Sequence, residues 1–228
     1  MAPAPPTLPT LAQRLAAEAL GTALLLAVVI GSGIMGERLA VGNAALALLA
    51  NSLATGCGLA VLIALLGPVS GAHFNPVVTL LSAAERGLGW REAALRICVQ
   101  GAAAFVGVAV AHAMFGERLF SASTHVRSGP AQAWSEFVAT FGLLLVVAGC
   151  VRQRLSATPY LVAAYITAAY WFTASTSFAN PAVTLARAAS NTFAGIRPAD
   201  VPGFVLAQCA AVPVAAGVSR VLFGPPRS

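Results

Sequence analysis

Two six-residue strings hold the side chains best able to act on a solute: Asn75-Pro76-Val77-Val78-Thr79-Leu80 and Asn180-Pro181-Ala182-Val183-Thr184-Leu185, identical at five of six positions. Asparagine is a favoured helix cap, and proline suits the first helical position, where its missing N–H had no partner. Each string therefore opens a helix whose N-terminal end carries about half a positive charge. The side-chain amide beside it can donate to an oxygen. That chemistry is hydrogen-bond donation to an oxygen, beside helix ends that oppose cations. Other chemistries lack their residues. With no lysine in the chain, there is neither a phosphate-binding G-x-x-x-x-G-K loop nor a Schiff base. Gly31-Ser32-Gly33 offers a serine, but no histidine follows His125 and the three histidines sit on separate segments, so no nucleophilic triad is expected. Nor do they have metal-ligand spacing. Cys57, Cys98, Cys150 and Cys209 lie in apolar runs without C-x-x-C spacing and read as small buried apolar residues. The sequence predicts no enzyme activity, no cofactor and no metal.

The elements that must position those strings are membrane helices. Hydrophobic residues make up 58% of the 228 and charged residues 9%, against about 25% charged in a soluble domain. Six apolar segments, 15–35, 43–66, 93–115, 134–151, 159–178 and 201–223, each approach the ~20 residues that cross a ~30 Å hydrocarbon layer as helix. The leader Met1–Gln13 is uncharged and proline-rich, and the first span is too long for a secretory signal, so it reads as a retained helix. The net charge of +6 comes entirely from arginines scattered singly between apolar runs, which argues against nucleic acid. With both ends cytoplasmic, Arg14, Arg86, Arg91, Arg96, Arg152, Arg154, Arg220 and Arg227 fall inside. Arg38, Arg118, Arg127, Arg187 and Arg197 fall outside, a bias that favours this topology.

The chain also repeats itself. Ala17-Glu18-Ala19-Leu20-Gly21-Thr22 matches Ser135-Glu136-Phe137-Val138-Ala139-Thr140, and Gln100 precedes Gly116 by the sixteen residues that separate Gln208 from Gly224. Each half, about 11–116 and 131–224, holds three spans. An odd number puts the two halves upside down relative to each other within a single domain, 1–228. The Asn-Pro strings open stretches too short to cross. Asn75 to Glu85 would reach about 16 Å as helix, roughly half the hydrocarbon core. A single such string would read as an ordinary helix start. Paired in inverted halves, they predict two re-entrant half-helices meeting near the midplane. The fold class is thus an all-α membrane protein of six transmembrane helices and two half-helices. The irregular Gly71–Phe74 and Thr176–Ala179 must then expose carbonyls, and a water-filled pore is where they are tolerated, as an acceptor ladder including Gly71, Ala72, Thr176 and Phe178.

These features resemble the aquaporins and aquaglyceroporins, the major intrinsic proteins: six spans, two Asn-Pro-Ala-like loops, the Ser70-Gly71-Ala72-His73 lead-in, Glu18 with Glu136, and Gln100 with Gln208. The resemblance implies a passive channel for water and small neutral solutes. It further implies a homotetramer in the lipid bilayer with a pore in each subunit, and loop support by Glu18 and Glu136, which accept backbone N–H bonds. His73 reads as a loop-supporting histidine, with a gate as the alternative. In most members an arginine follows the second Asn-Pro-Ala and forms a narrow selectivity filter; here that position is Val183. Carried over by distance from the asparagines, the other filter positions are Thr55, Ala168 and Ser177. All four are uncharged and small, which predicts a wide filter, a weaker cation barrier, and passage of polyols, urea or neutral metalloid hydroxides such as arsenous acid. Arg187, one helical turn after Val183, either reaches the outer vestibule or is a cation at the dipole's negative end, the reading preferred here.

Two other readings compete. A water-selective pore that has lost its arginine keeps the same fold. A secondary active transporter also uses inverted repeats and broken helices, but needs intramembrane acids near the substrate, and the matched acids here are committed to the loops. Alanine-rich and lysine-free, the chain suits a bacterial inner membrane.

Overall fold

The computed structural model describes residues 8–225; Arg227, counted above with the cytoplasmic arginines, lies outside them. Among the described residues every regular element is helical. They are α1 (Leu11–Ala40), α2 (Ala44–Ser70), α3 (Pro76–Ala84), α4 (Trp90–Phe115), α5 (Pro130–Gln153), α6 (Thr158–Phe172), α7 (Pro181–Arg187) and α8 (Val201–Phe223), the last entered through a 3-10 turn. Five, α1, α2, α4, α5 and α8, are long and apolar enough to cross a membrane.

The fifth span departs from expectation. The apolar run 159–178 is helical only to Phe172, and α6 is 15 residues, about 22 Å long. It stops because Thr173 turns its hydroxyl back onto the Ala169 carbonyl (2.7 Å), while Ser135 Oγ accepts from the Ala174 N–H (3.2 Å). What looked like the end of a span is the descending limb of a re-entrant loop.

The start of α1 and the end of α8 lie on one face. There Arg14 at the start of α1 pairs with Glu92 at the start of α4, and Arg152 near the end of α5 donates to the Ser219 carbonyl near the end of α8 (3.1 Å). On the opposite face Arg38 near the end of α1 pairs with Glu117 after α4. α1 packs on α2 and α4 just as α5 packs on α6 and α8, so the sequence repeat is a packing repeat. Small residues permit the closest approaches: a Cβ on Gly107 of α4 would lie 2.2 Å from the Ala23 carbonyl of α1. The half-helices cross over, α3 lying against α8 and α7 against α4, so that each half of the chain grips the other's short helix.

Candidate functional site

The site is built from the two irregular limbs that precede the half-helices. Positive φ angles recur at matched places: Gly71 and Thr176 (85° and 61°), Ala72 and Ser177 (both 50°), Phe74 and Ala179 (50° and 47°). For a residue with a side chain this conformation costs roughly 1–2 kcal/mol, and five of these six have one. Such strain persists where surrounding contacts over-determine it. Its product here is a run of carbonyls without protein partners. Among the described residues nothing donates to the carbonyl oxygens of Gly71, Ala72 and His73, or of Thr176, Ser177 and Phe178, although their neighbours at both ends are bonded. Buried carbonyls are left free only where something else hydrates them.

At the centre the limbs are tied to each other. Asn75 Nδ2 donates to the Ala179 carbonyl and Asn180 Nδ2 to the Phe74 carbonyl, both at 2.8 Å. Each asparagine Oδ1 meanwhile caps its own helix, accepting from Val77 N–H in one half and from Ala182 and Val183 N–H in the other. An amide has two N–H donors, so one on each asparagine remains for a solute oxygen. Pro76, Val77, Pro181 and Ala182 are buried behind them and set the helix starts.

Two buried carboxylates hold the limbs. Glu18 accepts from Ser70 Oγ (2.7 Å), His73 N–H (3.0 Å), Phe74 N–H (2.8 Å) and Gln100 Nε2 (2.9 Å). Glu136 accepts from Phe178 N–H and Ala179 N–H (both 2.8 Å) and Gln208 Nε2 (2.6 Å). Each glutamine also donates to a threonine hydroxyl, Thr79 or Thr184, which in turn donates to the carbonyl of Asn75 or Asn180. A buried carboxylate is tolerable only with this degree of satisfaction. The threonines stand at the same place in both strings, yet repetition alone did not say what they bond.

A cavity of about 320 Å³ runs past both limbs from Gly87 and Thr158 at the N-terminal face to Arg187 at the other. Thr55, Ser177, Val183, Asn75, Asn180, Gly71, Ala72 and Phe178 line it; Thr176 does not, its hydroxyl being taken by Arg127. Ala168 is a correction. It lies on the exposed side of α6, whose cavity-lining stripe is Thr158, Val162, Ile166 and Tyr170; at this level the lining residue is Tyr170, with its hydroxyl 3.2 Å from Thr55 Oγ1. Counting back from Asn180 misplaced it because α6 ends early and the limb is extended rather than helical. The residues around this level are therefore uncharged but not all small.

Arg187 is the last residue of α7, at the dipole's negative end, and it also faces the cavity. It is 2% exposed, lines the cavity, and lays its guanidinium 3.3 Å from the centre of the Phe178 ring. Its Nε donates to the Ala194 carbonyl, while its terminal N–H groups have no acceptor among the described residues. Arg127, from the α4–α5 connection, sits over the same ring at 5.0 Å. Burial holds the Arg127 guanidinium below its ordinary pKa, opposed by Glu136 and Tyr170. His73 lines the cavity and bonds Thr79 Oγ1 through Nδ1 (3.1 Å). Because the Thr79 hydroxyl proton goes to the Asn75 carbonyl, the network assigns the hydrogen to Nδ1, leaving Nε2 an acceptor. No group of three or more metal-ligating side chains occurs among the described residues.

The family described as major intrinsic protein matches residues 7–176. The chain is 52% identical to the aquaglyceroporin AqpS of Rhizobium meliloti (strain 1021) over 217 residues, which are 95% of this chain and 93% of that one. It is 32% identical to the maize aquaporin NIP2-3 over 199 residues, 82% of this chain and 64% of the other. The crystal structure of the aquaglyceroporin from Plasmodium falciparum superposes with a TM-score of 0.71, covering 93% of this chain and 97% of that one, at 17% identity. At that identity the likeness speaks for the fold alone.

Proposed function

Because the chain belongs to the major intrinsic protein family and is a passive, multi-pass membrane channel rather than an enzyme, we propose that it conducts water and small neutral solutes through a filter without a guanidinium in its ring. Thr55, Tyr170, Ser177 and Val183 form that ring. The observation that carries the proposal is the pair of crossed amide bonds, Asn75 to Ala179 and Asn180 to Phe74, beside a cavity reaching towards both faces. A solute oxygen that accepts from both asparagines is poorly placed to accept from its neighbour, which interrupts a proton-conducting water wire. The converging helix N-termini oppose cations there. Five of the free carbonyls, those of Gly71, Ala72, His73, Ser177 and Phe178, belong to cavity-lining residues and offer acceptors to hydroxyl donors along the way.

Solutes suited to this pore are glycerol-like polyols, urea and neutral metalloid hydroxides such as arsenous acid. Val183 leaves the ring open where a guanidinium would fill it, and Arg187 stands one turn further out as a vestibule cation. One observation favours a narrower, water-selective pore: the Tyr170 ring takes the place expected of an alanine. Four copies each with its own pore, both termini in the cytoplasm and a bacterial inner membrane complete the proposal; the arginine bias between the faces supports the orientation. Stopped-flow light scattering on proteoliposomes with water, glycerol, urea and arsenite tests it. Permeation of all four supports the open ring, and permeation of water alone rules it out.

A further inference from the structure

The last bonded carbonyl before each free run is Ser70 in one limb and Ser175 in the other, and these two serines occupy matched positions. Each turns its hydroxyl to accept the N–H two residues on, from Ala72 (3.1 Å) and from Ser177 (3.2 Å). Each also gives its carbonyl to an arginine: Arg96 NH1 donates to Ser70 O at 2.5 Å and Arg127 NH1 to Ser175 O at 3.2 Å. The two arginines do not correspond in the repeat. Arg96 is on α4, four residues before Gln100, and the residue four before Gln208 is Phe204, which packs edge-on against Phe178 instead. Arg127 comes from the connection between the halves and bridges to Gly195 O (2.8 Å).

We propose that Arg96 and Arg127 are convergent positioning residues that cap the two acceptor ladders, fixing where each run of free carbonyls begins and how it faces the pore. Ser70 is the last residue of α2, whose C-terminal dipole favours a cation at its carbonyl. Arg96 is itself held there: Glu92 accepts from its Nε and NH2 (3.0 and 2.7 Å), Glu18 lies 3.5 Å from NH1, and Arg14 grips Glu92 through two bonds of 2.8 Å. Arg127 is fixed by its backbone N–H on Asp200 (2.8 Å) and by Phe178 beneath its guanidinium. Neither arginine lines the cavity, so each acts on the solute only through the limb it holds. Without its cap, the serine carbonyl becomes an additional unpaired acceptor and the strained limb loses the anchor next to its free carbonyls.

This inference rests on the channel reading, and one experiment separates the two. Arg96→Met, Arg127→Met and the corresponding Lys variants are reconstituted beside the unaltered protein, with water and glycerol permeabilities normalised to folded channel per vesicle. Permeability of the unaltered protein tests the channel. The cap is tested by the glycerol-to-water ratio, which a loss of folded protein alone would not move. Each Met variant is expected to shift that ratio about tenfold, the factor carried by one charge-assisted hydrogen bond of about 1.5 kcal/mol. Lysine, which can still donate to one carbonyl, is expected to restore most of it. A ratio unchanged in both Met variants, or shifted equally by Lys and Met, overturns the proposal. If Arg96→Met fails to reconstitute, Glu92→Gln, which releases Arg96 without removing it, carries the same test through the same ratio; if Arg127→Met fails, the Arg96 variants carry it.

Discussion

Glu136→Gln puts a number on the carboxylate braces. Glu136 is fully buried and takes two backbone N–H groups and the Gln208 amide on its two oxygens. A glutamine has the same shape but a single acceptor oxygen, so at least one of the Phe178 and Ala179 N–H groups must face an NH2 group. A buried donor left unpaired costs about 1–3 kcal/mol, and the bonds that survive lose their charge assistance, about 1 kcal/mol more. Relief of the carboxylate's own desolvation offsets part of this, so the net destabilisation is about 2 kcal/mol. For a chain of this size that is a fall in Tm of roughly 4–8 °C. Thermal unfolding in detergent, followed by tryptophan fluorescence, measures the fall. Glu37→Gln, at an exposed position with no side-chain partner among the described residues, is the control and is expected to shift Tm by less than about 1 °C. Water permeability of Glu136→Gln is expected to fall in parallel, because Ala179 loses its anchor while its carbonyl must still hold Asn75. If Glu136→Gln melts with the control and conducts normally, the carboxylate is not what holds the limb.

Three further perturbations follow from the same geometry. Gly21→Ala would place a methyl 2.0 Å from Phe74 Cε1; overpacking of this kind costs about 1–3 kcal/mol, and both Tm and water permeability should drop, whereas Gly101→Ala, with nothing within 4 Å, should be neutral or slightly stabilising. Tyr170→Ala should raise the glycerol-to-water permeability ratio in swelling assays by opening the ring beside Thr55; an unchanged ratio would show that Tyr170 does not limit the filter. Arg187→Ala should increase proton leak in pH-sensitive-dye liposomes by removing the cation at that mouth, and a leak equal to that of the unaltered protein would return Arg187 to a purely structural role.

The fold was legible because its signals were long and repeated. Apolar runs of about twenty residues, the paired Asn-Pro strings and the matched Glu and Gln positions each stated one fact twice, and together they anticipated the half-helices. Legibility stopped where the two halves cease to correspond. Tyr170 was missed because its register depends on where α6 ends, which is decided by a threonine back-bond and a serine on a different helix. Arg96 and Arg127 were read only as marks of membrane side, since no repeat relates them and their partners are backbone carbonyls with no sequence signature. Arg187 could be placed within a helical turn of Val183, but its lie over Phe178 depends on the limb's conformation, which the residue types alone do not specify.

Val183 leaves the filter open, and substituting an arginine at that position tests this. Stopped-flow measurements of water and glycerol permeability on proteoliposomes of the unaltered protein and of Val183→Arg, at matched amounts of folded channel, give the comparison. The open-filter account predicts that the unaltered protein passes both, and that Val183→Arg suppresses glycerol much more than water. Equal effects on the two solutes, or no glycerol permeation before the substitution, would contradict it.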